Sequence, residues 1–505
     1  MSLAHLRRAA QERPLLSVLV LAAAVRLVAA VFSRGFLAID DHHVLVDAAD
    51  RLVRGLGLEV AHKRSILFPG AVALVIHATQ ALADPSPATE MLVVRLVQAA
   101  YSLLSVLLVY RILERRGTAR AAGLGGLLAA TCWVLPITQV HQFEEVVCQV
   151  PLLASCWWVL RARDERGVVW FGLLAGLALG TALVLRFPLL PFVAAFALLA
   201  AWELRDRRAV YFALGLALVL TLQGFANHLI NHEWWFSFRI YYGPLLHWPP
   251  RILTESDGYP HGAWWTYGAA LLGVFVPPFS LWFGAAAIRG GRGFPLLGVP
   301  TLVFLVANSL IANRQERFLL PVLPAVIVLG AAGADGVAAW LAAHGWPRLS
   351  GALWRYYWTV NTVLLVGTLF MYGKRDRVAP LVYVETRHDA TGVIEAQYTA
   401  PFPVPVFYLG RRRPPVVVFE DRRRLTADAA AARAASPPPN YLILYSDSVQ
   451  ADTAALARAL GARLVPAATI PPSAGDELAH LVNPRRNAAT PALVLSIVPL
   501  SAVPR

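Results

Sequence analysis

Eleven long apolar runs dominate this chain and constrain its fold more than any other feature of the sequence. Each approaches the roughly 20 residues that an α-helix needs to cross the hydrocarbon core of a bilayer. A further apolar run at 66–83 is ambiguous because Phe68-Pro69-Gly70 lies near its start. The eleven runs are 14–33, 91–113, 120–138, 146–162, 168–185, 188–203, 209–227, 264–288, 295–312, 318–342 and 354–372.

The composition excludes a soluble protein for most of the length. Hydrophobic residues make up 57% of the chain and charged residues only 15%, whereas soluble globular chains carry about 25% charged residues. The net charge of +14 comes from arginines that stand in short clusters between the apolar runs. These clusters follow no nucleic-acid-binding motif and are typical of membrane topology. We predict a polytopic α-helical membrane protein that contacts membrane lipids and binds no nucleic acid.

The arginine clusters also predict the orientation of the helices. If the N-terminus is cytoplasmic and 66–83 does not cross, five arginine-containing loops lie in the cytoplasm, as the positive-inside rule requires. We therefore predict about eleven transmembrane helices, with 66–83 as a re-entrant or interfacial segment, which is tolerated where other protein covers its backbone. The cytoplasmic loops are then 111–120, 161–167, 203–208, 289–292 and 344–355, and the outer loops include 34–90, 139–145 and 228–262.

The chain changes character after residue 372. Residues 373–505 are rich in arginine and interrupted by proline, and β-branched runs alternate there with helix-like stretches. Such alternation is typical of α/β domains. We predict a transmembrane domain at 1–372 and a small extracytoplasmic α/β domain at 373–505. The β-branched runs are 382–384, 404–408, 416–419, 441–445 and 493–497, and the helix-like stretches are 427–435 and 451–461.

Acidic residues concentrate in the first two outer loops. The first loop carries the adjacent pair Asp40-Asp41, followed by His42. Asp40, Asp47 and Asp50 are near helical spacing and could share one face of a helix. The second loop carries Glu144-Glu145 where a helix begins, a position that favours carboxylates. Either set could instead consist of ordinary surface acids or acids that only complement the helix dipole. Both sets are candidates for acid–base chemistry.

Arginines on the outer side need a reason to be there. Arg314 and Arg317 join two spans, and Arg186 lies in a short turn between two others. A phosphate ligand or an anionic lipid would explain them, because the guanidinium fork matches phosphate oxygens. An internal salt bridge to Glu316 is the alternative.

The large outer loop 228–262 is rich in aromatic and histidine side chains that could stack on a sugar. An interfacial aromatic belt explains at least half of these residues. The candidates for the sugar or the acceptor in and beside this loop are Trp234, His261 and Trp264.

Taken in order, these stretches resemble a GT-C superfamily glycosyltransferase, and more narrowly the polyprenyl-phosphate-mannose-dependent mannosyltransferases of N-glycan and GPI-anchor assembly. Asp40-Asp41 matches the family's acidic pair and Asp47 its later acid, whereas Asp50 stands where the family has histidine. The stretch 64–69 matches Arg-Ser-x-x-x-Pro. The stretch 313–318 keeps the basic residue and the Arg-Phe of the late family motif, and it loses the histidine and the first glutamate of that motif.

This resemblance implies an inverting transfer of a hexose, in this family mannose, from a polyprenyl-phosphate donor to a lipid-linked or glycan acceptor on the extracytoplasmic face. A carboxylate would take the acceptor's proton, and fixed cations would stabilise the leaving phosphate. The implied roles are Asp40 as base with Asp41 as helper, Asp47, His42, Glu144 and Glu145 as supporting groups, and Arg314, Arg317, Arg64 and Arg186 as phosphate ligands.

Several alternatives stay open. The enzyme could use another lipid-linked sugar such as arabinose or glucose, or it could transfer to a protein acceptor. A transporter of lipid-linked saccharides and a scaffold protein are the less favoured hypotheses. No cofactor is expected, although Asp40, Asp41, Glu144 and Glu145 could hold a divalent cation through oxygen ligands. The excess of arginine over lysine suggests a bacterial inner membrane with the site facing the periplasm, with the ER membrane as the alternative.

Overall fold

The computed structural model describes residues 12–57, 64–165, 168–246, 262–399, 401–484 and 487–500. The chain divides into two compact units. The helical unit comprises Met1–Ala30, Gly57–Ala71 and Arg95–Leu369, and the C-terminal unit comprises Val31–Leu56, Val72–Val94 and Phe370–Arg505. The C-terminal unit thus takes in most of the first predicted outer loop as well as the end of the chain.

A helix or a pair of helices covers each of the eleven predicted spans. Among the described residues, five helices are long and apolar enough to cross a membrane, or six if one bent pair counts as a single span. This pair, Thr266–Val274 and Phe279–Gly293, bends by 107°. The other helices over the predicted spans are Pro14–Phe32, Pro87–Arg116, Ala119–Thr131, Val134–Thr138, Gln149–Asp164, Trp170–Leu185, Leu190–Leu204, Arg207–Asn231, Pro295–Leu310, Leu323–Ala343 and Leu349–Leu369.

The ambiguous run forms one helix, Leu67–Leu82, of 16 residues. Many apolar side chains on the surface of the helices are exposed, among them Leu198 at 75%, Val363 at 68% and Leu302 at 62%. Exposed leucine and valine of this kind suit a lipid surface, because lipid tails are as apolar as leucine. The chain is an integral membrane protein, while the number of spans stays a prediction.

Glycines bring two helices of the helical unit into close contact. Gly172, Gly176 and Gly180 recur every fourth residue along Trp170–Leu185, and a Cβ built on Gly176 would lie 1.9 Å from the carbonyl oxygen of Phe212 in the neighbouring helix. Small residues at this spacing let helix backbones approach closely within a membrane. The sequence therefore fixes the separation of this helix pair.

The described part of the C-terminal unit contains two sheets. The first joins two short parallel strands, β1 (Arg34–Gly35) and β2 (Tyr372–Gly373). The second has five strands in the order β4-β3-β5-β7-β6, in which β3 pairs in parallel with β4 and β5 while β7 runs antiparallel to β5 and β6. These strands are β3 (Val393–Gln397), β4 (Val416–Phe419), β5 (Tyr441–Tyr445), β6 (Ala462–Ile470) and β7 (Ala492–Pro499).

The sheet and its helices enclose an apolar core. Ile394, Leu442 and Leu495 from the strands pack there with Leu456 from a helix, and all four are completely buried. A full core of branched side chains is what a sheet with parallel central strands requires. The helices of this unit are Asp41–Val46, Asp47–Val53, Arg375–Glu385, Leu425–Ala434, Val449–Leu460 and Ala474–Val482.

Part of the strand prediction for the C-terminal region was wrong. The run 382–384 lies in the helix Arg375–Glu385, because its buried residues Val378, Leu381 and Val384 recur every third position, as on one helix face. The run 404–408 contains Pro405, which cannot donate to a ladder, and it ends in the 3₁₀ turn Val406–Leu409. The runs at 416–419, 441–445 and 493–497 are strands, and β3 and β6 were not predicted.

Candidate active site

The acid pair of the first loop stands at the start of a short, irregular helix in the C-terminal unit. Residues Asp41–Val46 form a π-helical turn that continues into the α-helix Asp47–Val53. Turns of this kind are rare and occur frequently at functional sites. Asp40 is half-buried, whereas Asp41 is only 3% exposed. We refer to residues 40–50 as the acid loop.

His42 lies between two aromatic rings. Its imidazole stacks on Phe36 with centroids 4.7 Å apart and on Tyr408 with centroids 5.3 Å apart. Burial lowers the pKa of His42 to about 3, so the ring is neutral at physiological pH. A neutral, enclosed imidazole does not serve as a proton donor near pH 7. Its place in this stack fixes the backbone next to the acid pair.

The other acids of the loop are paired locally. Asp47 Oδ2 lies 2.9 Å from His43 Nδ1, at the i, i+4 spacing of a helix. Asp50 Oδ1 lies 2.7 Å from Arg413 Nη2. Burial raises the pKa of Asp50, and the positive charge of Arg413 opposes that shift. The predicted shared face of Asp40, Asp47 and Asp50 is interrupted by the π-helical turn, which changes the register between the first two.

A second group of predicted residues comes together in the helical unit. Arg64 Nη1 lies 3.0 Å from Glu144 Oε2, and Arg186 Nη1 lies 3.5 Å from the same oxygen. Arg186 Nη2 lies 2.8 Å from Glu145 Oε1, and Arg317 Nε lies 3.9 Å from that oxygen. We call these five residues the arginine–glutamate cluster.

The cluster is buried and brings three guanidinium groups together. Glu144 and Glu145 are 2% and 0% exposed, and Arg186 is 8% exposed. Within the cluster, three guanidinium groups face two carboxylates. Although burial alone would raise the pKa of Glu145, Arg186 and the other two arginines together lower it. Burial raises the pKa of Glu144 despite its arginine partners. Such a site suits an additional anion, because guanidinium forks match phosphate oxygens.

Breaks between helices place the arginines. Arg186 has an extended backbone between the helix Trp170–Leu185 and the 3₁₀ turn Phe187–Leu189, where Pro188 favours a new helical start. Arg317 lies in the 3₁₀ helix Glu316–Val322. Both guanidinium groups lie near the ring of Phe318, at 4.9 Å and 5.5 Å from its centroid. Arginines at breaks in apolar helices are candidates for function by default.

Neighbouring hydrogen bonds fix Arg64. Its carbonyl oxygen accepts a hydrogen bond from Ser237 Oγ at 3.2 Å, and the adjacent Ser65 Oγ donates to Gln223 Oε1 at 2.8 Å. Ser65 is buried. The Arg-Ser dipeptide of the sequence motif is therefore part of a packed structure, and only the guanidinium group reaches the cluster.

Other predicted residues lie elsewhere. Arg314 donates to the carbonyl oxygens of Ser309, at 2.7 Å, and of Gly262. Trp234 is 45% exposed and stacks on His228, and Trp264 is 75% exposed. These exposures suit either a sugar-binding surface or an interfacial belt. His261 lies outside the described residues.

The sequence reasoning missed a buried polar network in the helical unit. Arg26, 1% exposed within the helix Pro14–Phe32, donates to Ser102 Oγ at 2.9 Å and to Gln139 Oε1 at 2.5 Å. Gln139 donates in turn to Gln149 Oε1 at 2.6 Å. The sequence did contain a signal for this network, namely Arg26 inside the apolar run 14–33. Burying a charged side chain in a membrane-spanning helix costs free energy, so such residues usually have a role.

The donor set for a metal is incomplete within the parts of the chain that the structure describes. No group of three or more histidine, cysteine, aspartate or glutamate side chains there is arranged to hold a metal ion. The expectation that no cofactor is needed stays a prediction. The three cysteines, Cys132, Cys148 and Cys156, are buried thiols without a disulfide bond.

Comparison with known proteins agrees with the sequence motifs. A family model described as the Alg9-like mannosyltransferase family matches residues 17–386. No curated protein matches the chain in sequence. The matched range includes the first-loop acids and every member of the arginine–glutamate cluster.

Two solved structures share the fold. ArnT from Cupriavidus metallidurans bound to undecaprenyl phosphate has a TM-score of 0.61 at 14% identity, over 98% of this chain and 100% of that chain. The Archaeoglobus fulgidus oligosaccharyltransferase in complex with Zn and sulfate has a TM-score of 0.53 at 12% identity, over 89% of this chain and 72% of that chain. Both are GT-C glycosyltransferases, so the predicted GT-C type of fold is confirmed.

Proposed function

Because the chain belongs to the Alg9-like mannosyltransferase family, we propose that it transfers mannose from a polyprenyl-phosphate donor to a lipid-linked or glycan acceptor, with inversion at the anomeric carbon. The reaction takes place on the extracytoplasmic side. The observation that carries this proposal is the arginine–glutamate cluster, in which three buried guanidinium groups suit the phosphate of such a donor.

The chemistry needs a base and an anion site. A hydroxyl oxygen of the acceptor forms a bond to the anomeric carbon of mannose while the bond from that carbon to the phosphate oxygen breaks. The hydroxyl proton goes to the base, and the bonding electron pair leaves with polyprenyl phosphate. Each of these charges needs a fixed partner, because partners already in place cost no reorganisation during the reaction.

Asp40 is the proposed base. It is half-buried and can still meet an acceptor, whereas Asp41 is 3% exposed and supports the pair from within the fold. A carboxylate within hydrogen-bond reach of a hydroxyl can act as a general base. Asp47 and His42 hold the loop by their local contacts.

Arg64, Arg186 and Arg317 are the proposed ligands of the leaving phosphate. Glu144 and Glu145 orient these guanidinium groups and keep their combined charge low enough to be buried. The fold neighbour ArnT was solved with undecaprenyl phosphate, and a leaving group of this class supports the choice of donor. The first-loop acids and the cluster belong to different units, so their roles are tested separately.

A transfer assay tests the proposal. Purified protein in detergent receives radiolabelled polyprenyl-phosphate mannose and a lipid extract of the source organism, with Asp40→Asn and the exposed Asp447→Asn compared in parallel. Label is expected to move with the wild type and Asp447→Asn but not with Asp40→Asn. Transfer is also expected to continue in EDTA, which tests the cofactor prediction.

If label does not move from polyprenyl-phosphate mannose, the same assay with other sugar donors shows which part of the proposal is wrong. Transfer from polyprenyl-phosphate glucose or arabinose alone would keep the enzyme class and change the sugar. Full activity of Asp40→Asn would remove that residue as the base. Silence with every donor would favour transport of a lipid-linked saccharide.

A further inference from the structure

Two cavities inside the C-terminal unit share part of their walls. Their volumes are about 510 Å³ and about 300 Å³, and Glu90, Gly410 and Arg411 line both. Binding sites for small molecules typically measure about 300–1,000 Å³. The acid pair and the arginine–glutamate cluster line neither cavity, so the proposed reaction leaves this space without a role.

The lining is polar and carries both signs of charge. Carboxylates accept hydrogen bonds, guanidinium groups donate them, and an amide does both, so together they match a ligand covered with hydroxyl groups. A strongly anionic ligand would meet the carboxylates, and a cationic one the arginines. Besides the shared residues, the larger cavity is lined by Asp84, Glu385 and Arg412, and the smaller by Asp50, Arg54 and Gln80.

One buried carboxylate oxygen in the wall of the smaller cavity, Asp50 Oδ2, lacks a hydrogen-bond donor among the described residues. Asp50 Oδ1 is paired with Arg413, but Oδ2 has no hydrogen-bond partner among the described residues, and the side chain is only 9% exposed. Glu90, which is 4% exposed, is held by a 2.7 Å hydrogen bond from Gln80. A buried carboxylate oxygen without a donor costs free energy, which a ligand hydroxyl would recover.

Two elements relate the cavities to the proposed chemistry. Asp50 lies in the α-helix Asp47–Val53 at the end of the acid loop, nine residues after Asp41 in the sequence. Glu90 lies in the first turn of Pro87–Arg116, one of the helices able to cross a membrane. The cavities therefore lie at the end of a candidate span and one short helix away from the proposed base.

We propose that these two cavities bind the non-reacting sugar units of a neutral oligosaccharide acceptor, with Glu90, Arg411 and Asp50 as its main hydrogen-bonding partners. This inference rests on the proposed function and names the acceptor class that the function leaves open. Binding of remote units would orient the reacting hydroxyl, because remote binding energy can be used to position the reacting groups.

Calorimetric titration of the full chain in detergent tests the inference. The probes are methyl α-mannoside, α-linked mannobiose and mannotriose, with mannose 6-phosphate and glucosamine as charged comparisons. We expect mannotriose to bind the wild type most tightly. Glu90→Gln and Arg411→Ala should each weaken its binding by about tenfold, the change that follows loss of one charge-assisted hydrogen bond. Arg463→Ala, an exposed arginine on β6, should bind as the wild type does.

The outcomes separate this inference from the proposed function, because binding and transfer are measured independently. Unchanged affinity in Glu90→Gln and Arg411→Ala, with both variants melting as the wild type, would overturn the saccharide site and leave the transferase proposal standing. Tighter binding of mannose 6-phosphate or glucosamine than of mannotriose would overturn the neutral ligand class. Saccharide binding without any sugar transfer would remove the proposed function instead.

Discussion

Arg413 forms a buried ion pair with Asp50, in which Nη2 lies 2.7 Å from Oδ1 and the two side chains are 16% and 9% exposed. The pair joins the C-terminal region to the acid loop within one compact unit. Arg413 also has a positive φ of 39°, a conformation that is uncommon for a residue with a side chain. A strained backbone of this kind persists where the surrounding structure holds it.

Replacing Arg413 should therefore loosen the acid loop. Arg413→Ala leaves Asp50 as a buried carboxylate without its cation, which typically costs about 3 kcal/mol or more. Alanine needs the same positive φ, so the change isolates the side chain. We expect a lower melting temperature and a lower kcat with little change in the KM for the donor.

A paired substitution provides the control for this prediction. Asp50→Asn combined with Arg413→Ala removes both charges and should restore much of the lost stability, whereas the exposed Arg433→Ala should behave as the wild type. Equal destabilisation by the single and double variants would show that the ion pair is not what holds the loop.

Arg186 should not tolerate lysine. Its two terminal nitrogens approach Glu144 and Glu145 separately, at 3.5 Å and 2.8 Å, and a lysine ammonium cannot reproduce that fork. Losing one charge-assisted hydrogen bond costs about 1.5–3 kcal/mol. We expect Arg186→Lys to reduce kcat/KM for the polyprenyl-phosphate donor roughly 10- to 100-fold.

The matched control for Arg186 is Arg163→Lys. Arg163 also pairs with a glutamate, Glu203, at 3.2 Å, but its side chain is 50% exposed. Exposed ion pairs contribute about 0–1 kcal/mol. If Arg186→Lys turns over at the wild-type rate at both saturating and limiting donor concentrations, Arg186 does not bind the phosphate.

Local patterns in the sequence predicted the helices of the apolar runs and three of the strands, but not which residues contact one another. Apolar runs gave the positions of the helices, because hydrophobic residues over this length leave few alternatives. The runs at 416–419 and 441–445 were recognisable as strands because they are wholly apolar or aromatic, whereas the apolar start of β3, Val393-Ile394, is followed by Glu395 and Gln397. Burial by neighbouring strands overrides that weak propensity.

The same limit applies to the candidate site. Each member of the arginine–glutamate cluster was selected from its own local motif, but nothing local pairs Arg64 with Glu144, 80 residues along the chain. Arg314 and Arg317 looked equivalent in sequence, and only the structure separates the guanidinium near Glu145 from the one bonded to backbone carbonyls. The pair of Asp50 and Arg413 was likewise beyond reach, because tertiary contacts leave no periodicity.

The glycine contact between helices gives a prediction about stability. A methyl group on Gly176 would lie 1.9 Å from the carbonyl oxygen of Phe212, whereas nothing lies within 4 Å of one on Gly284. Overpacking typically costs about 1–3 kcal/mol, and alanine otherwise favours a helix over glycine by up to about 1 kcal/mol. Gly176→Ala should lower the melting temperature, and Gly284→Ala should leave it unchanged or raise it. Equal melting of the two variants would contradict this close contact.

Glu395 gives the C-terminal unit a pH dependence. It is 1% exposed in β3, where its oxygens accept hydrogen bonds from Gln397 at 2.6 Å and from Tyr445 Oη at 3.3 Å. Burial raises the pKa of Glu395 to about 7, and burial likewise raises the pKa of Asp376 to about 6. The folded unit therefore binds more protons than the unfolded chain between about pH 4.5 and pH 7.

The sign of the effect follows from this difference in bound protons. The contribution of Glu395 to the free energy of unfolding is greatest below about pH 4.5. It decreases as the pH rises from about 4.5 to 7, and the total loss is roughly 3 kcal/mol. Glu395→Gln mimics the neutral form and should remove this loss. In hydrogen exchange of peptides from β3 and β5, the variant should match the wild type at pH 5 and exchange more slowly at pH 8. Asp376→Asn should give a smaller change in the same direction, and faster exchange of Glu395→Gln at pH 8 would mean that Glu395 is held as a stabilising anion.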